Sequence, residues 1–69
     1  MTRPTIEIYA DSNGWIAHFP LDSDMARVMG TQDIRTAFTL KTTLWDVVIQ
    51  IAHLNPGFEV SPDLTKLLV

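Results

Sequence analysis

The chain of 69 residues predicts a two-layer α+β domain, in which a three- to four-stranded, mainly antiparallel sheet carries one main helix. Three observations predict it. Asn13-Gly14 stands between two stretches of alternating apolar and polar residues, the strongest short-range hairpin signal. A third alternating stretch runs over residues 34–41, and one long apolar run after Thr43 carries opening and closing residues of a helix. The order strand, strand, short helix, strand, long helix, strand and terminal turn fits a single domain over residues 1–69.

Each element has its own reason. With Asn13 and Gly14 as a two-residue type I′ loop, Ser12 opposes Trp15, Ala10 opposes Ala17, Tyr9 opposes His18 and Ile8 opposes Phe19. Ile6, Ile8, Ala10, Trp15, Ala17, Phe19 and Leu21 then share one face of the sheet, and Glu7, Tyr9, Asp11, Ile16 and His18 share the other. Asp22-Ser23-Asp24 supplies caps and negative charge for a short helix through Met25, Val28 and Met29, with Gly30 as its exit. In the third strand Ile34, Thr36, Phe38 and Leu40 point inward, while Arg35, Ala37, Thr39 and Lys41 make a basic outer face.

The main helix opens at Thr42-Thr43, with Asp46 completing a weak capping box, and closes near Asn55 before Pro56, with Gly57 as a left-handed exit. Asp46, Gln50 and His53 form a narrow polar stripe on an otherwise apolar helix. Such a helix is covered from more than one direction. Leu44, Val47, Val48, Ile51 and Leu54 can pack on the sheet, which leaves Trp45, Ile49 and Ala52 in need of another cover. As a crossover, this helix would allow the third and fourth strands to run parallel with a right-handed connection. Phe58-Glu59-Val60 reads as the fourth strand. Ser61-Pro62-Asp63 opens a leucine-rich terminal turn carrying Leu64, Leu67, Leu68 and Val69.

Composition narrows the function. A chain this short buries only ~60% of the surface its unfolded form exposes, so its core is marginal and small domains add a staple. With no cysteine, disulfides and zinc fingers are excluded, which leaves oligomerisation as the expected compensation. No apolar run approaches the ~20 residues of a membrane-spanning helix and Met1-Thr2-Arg3-Pro4 has no signal-peptide character, so a cytoplasmic protein without a membrane partner is expected. Five basic residues against eight acidic ones, with a net charge of −3, give no footprint for nucleic acid, which is not expected as the main partner.

The segment Asp11-x-Asn13-Gly14-Trp15-Ile16-Ala17-His18-Phe19-Pro20 resembles the first hairpin of the HicB-type antitoxins, where an acid and a glycine turn lead into an aromatic-rich strand ending in Phe-Pro. The order of strands, one helix and a further strand is similar to that family's partial RNase H-like or double-stranded-RNA-binding-like fold. Beyond residues 11–20 the resemblance is one of topology. It implies an antitoxin-type or mobile-element regulator. The pieces Gly30-Thr31, Thr36-x-Phe38-Thr39 and Leu54-Asn55-Pro56-Gly57-x-x-Val60 also resemble a class of very small bacterial proteins to which the residues attach no activity.

For chemistry the residues offer little. Phosphate-binding loops and serine nucleophile elbows are missing, no cofactor is implied, and Asp22 and Asp24 are explained as caps rather than as an acid–base pair. His18 and His53 fall on different layers and read as surface histidines, so no metal site is expected; a small metal-binding or enzymatic domain built on His18 and nearby acids is the weakest alternative. Tyr9, His18, Arg35 and Lys41 on the outer sheet face form a possible ligand face, and a weak nucleic-acid-binding domain is the second reading. The favoured reading is a non-enzymatic protein-interaction or regulatory module that forms a homodimer or docks on another protein through Trp45, Ile49, Leu64, Leu67 and Leu68. The competing reading has the tail fold back over Trp45 in its own chain.

Overall fold

Alternating apolar residues of the N-terminal third build the centre of the sheet. In the computed structural model, which describes the backbone of residues 3–67 and the side chains of residues 3–66, β1 (Thr5–Asp11) and β2 (Gly14–His18) pair antiparallel. Ile8 lies opposite Ala17 and Ala10 opposite Trp15. This register is two residues from the expected one, which set Ile8 against Phe19. The turn explains the difference. Ser12 and Asn13, not Asn13 and Gly14, form the loop, and the Asp11 carboxylate accepts the backbone N–H of Asn13 at 2.8 Å and of Gly14 at 3.1 Å. A type I′ loop needs two positive φ angles; among the described residues only glycines have one, and here it falls on Gly14 at 143°. Faces repeat every two residues, so a slip of two keeps Ile6, Ile8, Ala10, Trp15, Ala17 and Phe19 together. Leu21 leaves that face and is exposed, because the chain turns at Pro20, whose carbonyl accepts the Ser23 N–H.

The short helix forms as its caps dictate. α1 (Asp24–Met29) has Ser23 as N-cap, its hydroxyl accepting the Ala26 N–H, and ends on Gly30 at φ 72°. It buries Ala26, while Met25, Val28 and Met29 are exposed.

β3 (Asp33–Arg35) pairs antiparallel with β2 and is shorter than expected. The alternation of exposure continues as far as Phe38, yet the ladder stops at Thr36. Its hydroxyl and its N–H both donate to the Trp15 carbonyl, at 2.8 and 3.0 Å, and the Trp15 N–H turns to the Phe38 carbonyl. A threonine side chain here competes for a strand acceptor. Leu40 and Lys41 consequently lie in a turn, and Leu40 is exposed.

α2 (Leu44–Leu54) starts at Thr43, whose hydroxyl accepts the Asp46 N–H. It closes on Asn55, whose side chain donates to the Ile51 carbonyl at 2.9 Å. Gly57 has no positive φ among these residues and is not the expected left-handed exit. Val47, Val48 and Ile51 are buried against Ile6, Ile8, Ala17 and Phe19. The Trp15 indole N–H donates to the Thr42 carbonyl at 2.9 Å and pins the start of the helix to β2.

β4 (Glu59–Pro62) pairs parallel with β1, so the four-stranded sheet has the order β3-β2-β1-β4. The crossover therefore joins opposite edges of the sheet. The third and fourth strands share a direction but are not neighbours. Phe58 packs edge-on to Phe19, with ring centroids 6.0 Å apart. The expected Ser61 cap gives way because Ser61 and Pro62 stay in the ladder opposite Glu7 and Ile8, and Asp63 donates its N–H to the Ile8 carbonyl at 2.8 Å. α3 (Leu64–Leu67) begins only after it, with the Asp63 carboxylate accepting the Thr65 hydroxyl at 2.7 Å.

Candidate functional site

Two surfaces were expected to bind something, and the structure treats them differently. The outer sheet face brings Tyr9, His18 and Arg35 together around a residue not expected there, Asp33. One Asp33 oxygen accepts the Tyr9 hydroxyl and contacts His18 Nδ1, each at 2.8 Å. The Arg35 guanidinium forks onto the Asp11 carboxylate, with Nη1 to Oδ1 at 3.2 Å. Lys66 of α3 places its ammonium 4.3 Å from the centre of the Tyr9 ring. Ile16, opposite Tyr9 and Arg35 in the ladders, is buried on this side. Lys41 is left out, in the turn before α2.

The consequence is electrostatic closure. Arg35 and then the Asn13 N–H hold the Asp11 carboxyl down at about 2. His18, then the Tyr9 hydroxyl, hold Asp33 below the usual carboxylate range. Burial first, and the hydrogen bond to Asp33 second, push Tyr9 up to about 12. Base stacking on Tyr9 would have to displace Lys66, and a phosphate on Arg35 would compete with Asp11. Among the described residues no group of three or more His, Asp or Glu side chains gathers as a metal site, and His18 and His53 stay on separate layers.

These pairs predict an acid sensitivity. Both carboxylates have folded values below their ordinary 3.8. Their contribution to stability is complete above that value and is lost as pH falls through the folded values, toward about 2 for Asp11. Urea midpoints should hold steady from about pH 7 to 5 and drop below about pH 4. Asp11→Asn, which keeps a turn acceptor but loses the charge facing Arg35, should lower the neutral-pH midpoint and flatten that drop. An unchanged pH profile in the variant would remove the Asp11–Arg35 pair from the stability of this face.

The second surface is the outer flank of α2. Trp45 is 64% exposed and Ile49 52%. At 100° per residue Trp45, Ile49 and Ala52 fall within about 60° of one another on the helix. Ile49, Ala52 and His53 line a shallow depression of about 270 Å³. Leu64 is also exposed, at 62%, but it opens α3, which lies against β1 with Lys66 over Tyr9. As far as residue 66 the tail thus serves the outer sheet face and does not fold over Trp45. The Leu67 side chain and Leu68, the rest of the expected interface, lie outside the described residues.

Beside these a cleft of about 320 Å³ opens between α1, β3 and the end of α2, lined by Met25, Ile34, Phe38 and Leu54 among others. Leu54, expected on the sheet, overhangs this cleft and is exposed, because the short β3 provides no further strand beneath it. Of its polar liners, Thr36 donates its hydroxyl to the Trp15 carbonyl and Asn55 donates one amide N–H to the Ile51 carbonyl. The rest of the lining is apolar.

Neither sheet edge invites an added strand. At β4 the outward backbone belongs to Val60 and Pro62, and proline has no N–H. At β3 it belongs to Asp33 and Arg35, and the Asp33 N–H already donates to the Thr31 hydroxyl at 3.2 Å. Among the described residues no helix is long and apolar enough to cross a membrane.

Comparison with known proteins found no matching family model, no matching curated protein and no matching solved structure.

Asp33 and Lys66 are the outer-face residues that sequence reasoning missed. A signal existed for Asp33, which shares the parity of Arg35 in the third strand and must therefore face the same way. Lys66 had none, since nothing in its segment indicates that the terminal turn lies on the side of the sheet opposite α2.

Proposed function

We propose that this protein is a small, non-enzymatic interaction module whose contact surface is the outer flank of α2. One observation carries the reading: an eleven-residue helix, already buried on one side by Val47, Val48 and Ile51, presents Trp45 and Ile49 to solvent on another. Aromatic and aliphatic anchors of this kind dominate the energetics of interfaces. Blunted sheet edges and an outer face whose charges pair with one another direct contacts toward this flank. The hairpin over residues 11–20 gives the module its most specific form, a cytoplasmic regulator of the antitoxin kind.

Affinity purification of the tagged protein from its own cells, followed by mass measurement of the intact complex, tests this reading. A stoichiometric protein partner, a second copy or a different chain, should accompany the wild type and be lost with Trp45→Asp. Retention of the partner by that variant, or a bare monomer from the wild type, would overturn it.

A further inference from the structure

The α2 flank is complementary to itself. Trp45 is the projecting group, and the depression formed by Ile49, Ala52 and His53 lies one to two turns further along the same helix. Ala52 is the small residue of its lining. If two α2 helices lie antiparallel with the two-fold axis at Ile49, Trp45 of each copy falls over the depression of the other. The same placement sets Asp46, in the first turn, beside His53 in the last turn of the second copy. Opposite helix ends then meet as well, which is the favourable arrangement of two helix dipoles.

We infer that the partner of this flank is a second copy of the chain, bound through an antiparallel α2–α2 contact in which Trp45 fills the Ile49, Ala52 and His53 depression. This inference rests on the interaction reading above and specifies its partner. Such a contact is isologous and closes at two copies. Its reach is limited, because eleven residues make a helix only about 16 Å long. A patch of that length falls short of the ~800 Å² per partner of a standard interface, so the dimer is weak, with a dissociation constant of roughly 100 µM.

Sedimentation velocity over a range reaching about 1 mM should show the monomer passing into a dimer and nothing larger. Trp45→Ala should weaken association about tenfold or more, as removal of a central aromatic anchor does. His53→Arg should tighten it by a few-fold and His53→Glu, which faces Asp46 of the other copy, should weaken it. Both positions are exposed, so circular dichroism melts of the three variants should match the wild type. The cysteine-free chain also permits single-cysteine trapping. Ile49→Cys, on the axis, should oxidise to a disulfide-linked dimer much faster than Ser12→Cys, at the far hairpin turn.

A wild type that stays monomeric, a dimer indifferent to Trp45→Ala, or equal trapping at positions 49 and 12 overturns the pairing. The interaction reading fails separately. A monomer that still captures another protein through Trp45 overturns the pairing and keeps that reading, whereas a monomer without a Trp45-dependent partner overturns both.

Discussion

Ile8→Ala should unfold a large fraction of the protein. Ile8 and Ile6 are fully buried in the central strand, beneath Val47 of α2, which is buried to the same degree. Truncating a core isoleucine to alanine costs about 2–5 kcal/mol, from lost transfer energy and the cavity left behind. The whole stability of a domain of 69 residues is roughly 3–10 kcal/mol, so this one change removes from about a fifth of it to all of it. Urea unfolding followed by circular dichroism checks the size of the effect. Glu59→Ala, on the exposed side of β4, serves as the comparison and should stay within about 0.5 kcal/mol of the wild type. Equal losses in the two variants would mean that the β1–α2 contact is not the centre of the core.

Gly14→Ala should be the second severe change, and for a backbone reason. Gly14 holds φ at 143°, a region that side chains disfavour, and a Cβ there would stand 2.8 Å from the Phe38 carbonyl oxygen. The opposing group is backbone, held by the Trp15 N–H, so it cannot swing away as a flexible side chain would. Strain of this kind costs about 1–3 kcal/mol before the clash is added. Gly57→Ala gives the contrast. Nothing lies within 4 Å of a Cβ at Gly57 and its φ is not positive, so alanine there should be neutral or stabilise by up to about 1 kcal/mol. Matched thermal melts of the two variants test this, and a mild Gly14→Ala would contradict the close approach of Phe38 to the hairpin.

What the sequence made legible were the features set by short-range chemistry. The pairing of β1 with β2 as a hairpin, the Ser23 and Thr43 caps, the Gly30 exit and the apolar side of α2 all follow from neighbouring residues, and all are present. The hairpin register was misread because Asp11 competes for the turn: its carboxylate binds two backbone N–H groups and moves the loop one residue back. The length of β3 was misread because Thr36 spends its hydroxyl on a strand carbonyl. The place of β4 beside β1 depends on which edge α2 crosses to, a choice that local pattern does not encode.

The candidate surfaces divide in the same way. Trp45 and Ile49 were visible as an apolar surplus on a helix with a narrow polar stripe, and both are exposed. The outer face was visible as a set of polar residues but not as a closed one. Its closure depends on Asp33 reaching both Tyr9 and His18, and on α3 bringing Lys66 back across the sheet. Pairings between elements distant in sequence decide whether a charged face is open to a ligand or already satisfied.

The most direct test of whether the α2 flank binds a second copy of the chain is a concentration series of amide and indole NMR shifts on the uniformly labelled protein. Shifts that move with concentration at Trp45, Asp46, Ile49, Ala52 and His53, while Tyr9, His18 and Asp33 stay still, are the predicted result. Shifts that stay fixed across the whole series, or that move on the outer sheet face instead, would contradict it.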